Sequence, residues 1–185
     1  QRLMDDLIDL ELEMIDRILA KIESDPESDE VKRTERLLWE KIKKVTADAR
    51  RTGLGITALG DTLAALGLKY GSDASIEVTE MIYKDLAVAS YQSSVIMAKE
   101  RGAFPVFDLE KEKDHEFIKK VIAQAGPAIP GLYLKHGRRN IANLTTSPAG
   151  TVSVETQTTS GIECAFLIDY MRRRKINPGD KMARV

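Results

Sequence analysis

A run of β-formers, Ile141 to Thr146, leads directly into Ser147-Pro148-Ala149-Gly150-Thr151-Val152-Ser153, and this junction constrains the chain more than any other stretch. A proline followed by small residues opens a helix and leaves its first backbone N–H groups without intrahelical acceptors. Such donors, reinforced by the partial positive charge of a helix start, suit an anion. The hydroxyls of Thr151 and Ser153 add donors of their own. Pro148, Ala149, Gly150, Thr151, Val152 and Ser153 are therefore the candidate phosphate-binding residues, although the same residue types also make an ordinary helix cap. No lysine follows the glycine, so a Walker-type nucleotide triphosphatase is not supported.

Three blocks of sequence extend the signal. Arg138-Arg139-Asn140-Ile141, Leu144 through Ser153 and Gln157-Thr158-Thr159-Ser160-Gly161-Ile162-Glu163 form the first. Arg50-Arg51-Thr52-Gly53-Leu54-Gly55-Ile56-Thr57-Ala58-Leu59-Gly60-Asp61 forms the second, and Ala98-Lys99-Glu100-Arg101-Gly102-Ala103-Phe104-Pro105 the third. Together they resemble the catalytic chain of ribonucleotide reductase, in particular the class II, adenosylcobalamin-dependent form, in the order that family keeps. The class I enzyme, which shares the barrel and the phosphate turn, is the alternative within the family.

That resemblance implies an α/β fold: a helix-rich partial segment of a ten-stranded α/β barrel. Residues 1–185 would form a single segment from the later part of the barrel, with a helical pair over 1–50 and barrel strands and helices over 51–185. It also implies conversion of ribonucleotides to deoxyribonucleotides by radical chemistry. The turn at Pro148 would hold the phosphates of a ribonucleoside di- or triphosphate, chiefly through backbone N–H groups. Adenosylcobalamin is the implied cofactor, held largely outside this chain, and a thioredoxin-type reductant and a homodimer are the implied partners. The chemistry needs a thiyl radical and a redox-active cysteine pair, and the single Cys164 cannot supply three thiols. The family's asparagine-proline-cysteine-glycine-glutamate motif is absent. The chain also starts at Gln1 inside a helical pattern, which suggests a fragment, a processed piece or a trimmed chain that acts only with the missing N-terminal half. A catalytically silent scaffold that keeps the fold is the alternative from a different class. An incomplete barrel is expected to expose strand edges and apolar faces.

Composition agrees with one ordinary core. The chain has 185 residues, 43% of them hydrophobic, and 28 basic against 29 acidic side chains give a net charge of −1. That balance suggests neither a nucleic-acid nor a membrane partner, and Arg172-Arg173-Arg174-Lys175 reads as a solvated basic face. One cysteine precludes an internal disulfide and points to a reducing, cytoplasmic setting. No apolar run approaches the roughly 20 residues of a membrane span.

Along the chain, Met4, Leu7, Ile8, Ile15, Ile18, Leu19 and Ile22 predict one amphipathic helix to about residue 24. Its carboxylates, among them Asp5, Asp6 and Asp9, read as a solvated acidic face. Ser24-Asp25-Pro26-Glu27 reads as the capping box of a second helix packed antiparallel on the first, with Val31, Leu38, Trp39, Ile42, Val45 and Ala49 buried. Residues 53–59 read as a short buried strand entered through glycines. Asp61 is expected to cap a short helix ended by Gly67, and Ser72 or Asp73 a long one ended by Gly102, with Ile82, Leu86, Ala89, Ile96 and Met97 inward. Phe104 to Phe107 reads as an extended connector, Asp108 as the cap of one charged helix, and 126–131 as a loop. Tyr83 and Tyr91 fit amphipathic packing, His115 a surface position, and His136 precedes the signature without a visible partner. Cys164 is expected to return to the core beside Phe166 and Leu167, and residues 172–185 to be polar and weakly structured.

Overall fold

Two long helices at the start of the chain lie against each other because one carries a seven-residue repeat of isoleucines. The computed structural model describes residues 1–165 and Leu167. The expectations for Phe166 and residues 172–185 therefore fall outside the described residues. Helix α1 (Arg2–Ser24) buries Ile8, Ile15 and Ile22, while Leu7 turns outward. Helix α2 (Asp29–Ala49) runs antiparallel to it: Lys32 reaches the Glu23 carbonyl, Lys43 pairs with Asp16, and Arg50 reaches back to Asp5 and Asp9. The expected capping box does not form. The Ser24 hydroxyl donates to the Lys21 carbonyl, Pro26 sits in the turn, and α2 starts four residues later, after Ser28. No residue of α2 is buried. Trp39, Ile42 and Ala49 are half-buried, and Val31, Leu38 and Val45 are exposed, because α1 is the one helix that α2 packs against extensively.

Helix α3 (Leu59–Ala65) begins after Ala58, which adopts a left-handed conformation (φ 62°), and Gly67 at φ 70° ends it as expected. Helix α4 (Asp73–Arg101) is capped by Ser72, whose hydroxyl accepts from the Ser75 amide, and stops at Gly102. Its inner face carries Ala87, Tyr91, Val95, Met97 and Ala98, together with the small polar Ser90 and Ser94; Ala89, expected inward, is exposed. Hydropathy alone misplaced that face because serines that pack closely against neighbours carry no apolar signal.

The single charged helix expected after Asp108 is two. Asp108 caps α5 (Leu109–Glu112), and α6 (Glu116–Gln124) restarts after His115, which is exposed. Phe104 to Phe107 bends into a turn, closed by the Phe107 amide on the Phe104 carbonyl at 2.9 Å. Within the expected loop 126–131, helix α7 (Ile129–His136) begins with Pro130 in its first turn, where a missing N–H costs nothing. Ile118, Val121, Ile122 and Ala125 from α6 and Ile129 and Tyr133 from α7 close on Ala87, Tyr91 and Val95 of α4 to form the core. Helix α8 (Gly150–Thr156) follows the signature turn.

Among the described residues there is no strand; one parallel bridge joins Leu54 to Leu144. The two segments expected to be strands do run side by side, with the Thr52 amide on the Ala142 carbonyl at 2.9 Å and the Leu54 amide on the Asn143 carbonyl at 2.7 Å. Gly55 is required there, since a Cβ would lie 2.6 Å from the Thr145 carbonyl oxygen. A barrel is not formed by the described residues.

A buried polar knot ties these parts together. Asp5 is fully buried, and its carboxylate accepts from Arg50 Nε at 2.9 Å, Asn140 Nδ2 at 3.0 Å, Arg139 Nε at 3.2 Å and Arg101 Nη1 at 3.2 Å. Asn140, equally buried, donates also to the Arg50 carbonyl and accepts from Ser94 Oγ. The expected solvated acidic face is thus corrected at Asp5. Asp5, Asp6 and Asp9 cluster as metal ligands would, yet each is already paired with a guanidinium of Arg50, Arg101 or Arg139. Burial by itself raises the Asp5 titration, but the hydrogen bonds and charges of Arg50 and Arg139 outweigh it and hold the carboxyl below its usual range.

Removing this carboxylate strands buried guanidinium groups, so Asp5→Ala is expected to lose about 3 to 5 kcal/mol in urea unfolding at pH 7. The folded-state value lies below the unfolded one of about 3.9. The contribution is therefore present above that pH and disappears as pH falls through the folded value. Asp5→Asn should show a flatter acid limb in the same measurement.

Candidate functional site

The signature turn is held from outside by a loop rather than by its own side chains. Ala149, at φ −100°, caps α8 and donates its amide to the Ser160 carbonyl at 2.8 Å. The Ser153 amide closes the first helical turn on the Ala149 carbonyl at 2.8 Å. Between them, the amides of Gly150, Thr151 and Val152 have no acceptor among the described residues, as the first positions of a helix dictate. All three residues are exposed, as is Pro148.

The side chains differ from expectation. Ser153 is buried, and its hydroxyl donates to the Gly150 carbonyl at 2.9 Å, so it braces the turn instead of offering a donor. Thr151 is exposed, and Ser147 Oγ is taken up by Thr145 Oγ1 at 3.0 Å. Gly150 faces open space where a Cβ would stand and has an ordinary negative φ.

The loop of residues 158–163 rests on α3. The Ala58 amide donates to the Thr159 carbonyl at 3.2 Å and the Leu59 amide to the Gly161 carbonyl at 3.3 Å. Asp61 does not cap α3. Its Oδ2 instead accepts the Thr159 amide at 2.7 Å, a charge-assisted bond across 98 residues of sequence. Gly60 allows the contact: a Cβ there would lie 2.5 Å from the Glu163 carbonyl oxygen and 2.7 Å from Cys164 Cα. Glu163 accepts from the Ser160 hydroxyl at 2.7 Å, and its own backbone amide followed by that hydroxyl hold its carboxyl below the usual range. Asp61, Ser153, Gln157, Thr159, Glu163 and Cys164 help to line a cavity of about 390 Å³ beside the turn.

Cys164, expected in the core, is exposed at the rim of that cavity, because the described residues place no apolar element over it. His136 ends α7, half-buried, away from the turn's partners. Two features escaped sequence reasoning. Asp61 was visible only as a capping residue, since its real partner lies far along the chain. Arg138 was part of a motif without a role; it is held by Glu112 and lies over the rings of Tyr91 and Phe104 at 5.6 and 5.3 Å, with Tyr133 donating to Glu112 at 2.9 Å.

Comparison with known proteins places this geometry. Residues 28–183 match the ribonucleotide reductase barrel domain, and the chain belongs to that family. Among its relatives is a vitamin B12-dependent ribonucleoside-diphosphate reductase of Mycobacterium tuberculosis, 34% identical over 66% of this chain and 15% of that protein. A protein of the same name from Thermoplasma acidophilum is 31% identical over 72% of this chain and 15% of its own length. A ribonucleoside-diphosphate reductase subunit alpha of Treponema pallidum is 24% identical over 68% and 15%. The chain thus spans about 15% of the length of these curated relatives. The sequence resemblance to the cobalamin-dependent form agrees with the names of the first two.

Gly60 and Gly150 should respond differently to a methyl group. Gly60→Ala forces backbone apart and is expected to destabilise by about 1 to 3 kcal/mol, whereas Gly150→Ala should stay within about 0.5 kcal/mol of the parent in thermal or urea unfolding.

Proposed function

We propose that this chain is part of a vitamin B12-dependent ribonucleotide reductase and supplies the turn that anchors the substrate's phosphates. The observation that carries the reading is a row of three exposed residues, Gly150, Thr151 and Val152, whose amides have no acceptor among the described residues, in a chain that belongs to the reductase barrel family. Pro148 shapes the entry, Ala149 is fixed by the Ser160 carbonyl, and Ser153 braces the turn from within. The donors come from the backbone, so side-chain identity at Ala149, Gly150 and Val152 matters less than the path of the chain.

The substrate class is a ribonucleoside diphosphate, in keeping with the names of the relatives. Phosphate is remote from the ribose carbon that reacts. Charge-assisted hydrogen bonds there hold the ribose in register, so binding energy far from the reacting centre lowers the barrier at it.

The thiyl radical and the redox cysteine pair belong to polypeptide beyond this chain, which has one cysteine. A thioredoxin-type reductant and assembly into a homodimer are parts of the same proposal. Adenosylcobalamin would supply the radical when bound. Its contacts would lie largely on polypeptide beyond this chain. No helix among the described residues is long and apolar enough to cross a membrane.

Gly150→Pro provides a clean test, because proline at the first helical position removes one donor and little else. Titrating the chain with ADP should shift the amide resonances of Gly150, Thr151 and Val152, and Gly150→Pro should weaken binding by about 1.5 to 3 kcal/mol. Unchanged affinity would count against the turn. Mixing the chain with the complementary part of a B12-dependent reductase should restore cobalamin-dependent formation of deoxyribonucleotide; persistent silence would favour a scaffold.

A further inference from the structure

Asp61 lies next to the proposed anion site, and simple electrostatics makes it an odd neighbour. A carboxylate near a phosphate repels it, so its presence calls for a compensating role. The contacts supply one. Asp61 Oδ2 accepts the Thr159 amide at 2.7 Å; the next residue, Ser160, accepts the Ala149 amide on its carbonyl at 2.8 Å; and Ala149 is the residue from which α8 starts. The path from carboxylate to turn therefore crosses two hydrogen bonds and one peptide unit. Gly60, pressed against the Glu163 carbonyl, lets α3 come close enough for that path to close.

We propose that Asp61 is a positioning residue for phosphate binding: through Thr159 and Ser160 it fixes the direction in which the Gly150, Thr151 and Val152 amides point. This rests on the phosphate-turn reading above and extends it to a residue that touches no ligand. Without the carboxylate, the Thr159 amide loses its acceptor, and the loop keeps its backbone bonds from Ala58 and Leu59 but loses its side-chain tie to α3. Three amides converge on one anion only if the turn's entry angle is held, so a small drift of Ala149 disperses them.

The two effects of Asp61 have opposite signs, which makes the test decisive. Asp61→Asn removes the charge and keeps an acceptor for the Thr159 amide; Asp61→Ala removes both. ADP and inorganic pyrophosphate are titrated into the 185-residue chain and its two variants well below their unfolding transitions, by calorimetry and by amide resonances. Positioning predicts that Asp61→Ala raises the dissociation constant about tenfold and displaces the ligand-free resonances of Gly150, Thr151 and Val152. Asp61→Asn should bind within about twofold of the parent or more tightly. If both variants bind more tightly, the carboxylate acts only by repulsion and the inference fails. If Asp61→Ala unfolds at lower temperature yet binds like the parent, the role is structural and the inference fails while the phosphate turn stands. If the parent chain itself shows no response to either probe, the phosphate turn falls, and the inference falls with it.

Discussion

One buried carboxylate decides how this chain can be arranged. Asp5 comes from the first turn of the first helix, yet its partners lie at residues 50, 101, 139 and 140. A full negative charge with no solvent exposure is tolerable only when cations and donors surround it, so every one of those segments must arrive before the charge can be sequestered. The knot thereby sets the register between the helical hairpin, the end of α4 and the stretch that leads to the signature turn. Asn140, whose amide donates to Asp5 and to the Arg50 carbonyl while accepting from Ser94, makes that register specific to a single hydrogen-bonding arrangement.

From there the turn that opens α8 is reached in short steps. The segment after Asn140 lies beside residues 52–54, the chain continues through Thr145 and Ser147 into the turn, and the loop after α8 folds back onto α3. Because 53–55 and 143–145 approach so closely that only glycine fits at 55, the first turn of α3 is delivered beneath the loop that supports α8. Geometry at the turn is consequently a property of the junction between two distant stretches of sequence, not of the turn alone.

The sequence made the helix start legible where chemistry is local. Pro148 and the small residues after it announce a helix start with open donors, and that is what the backbone does. Helix ends written in glycine, at 67 and 102, were likewise readable, because a left-handed or extended cap leaves few alternatives. What failed was whatever depends on a distant partner. Asp61 looks like a cap until Thr159 is placed beside it, Asp5 looks like one acidic residue among six until three arginines converge on it, and Ser153 looks like a donor until its hydroxyl turns inward. The α2 stripe failed for the same reason in reverse: its spacing is amphipathic, but α1 alone covers little of it. Family resemblance was legible from runs of residues rather than from physics, and the match over residues 28–183 agrees with it.

The hairpin is tied down at its open end only. Asp5, Asp9 and Arg50 anchor the base, whereas the tip around Pro26 has hydrogen bonds only to its own two arms among the described residues. Adding or deleting whole seven-residue units in both arms would preserve the isoleucine repeat and leave the base undisturbed. The reach of this projection could therefore change without any adjustment at the turn that opens α8.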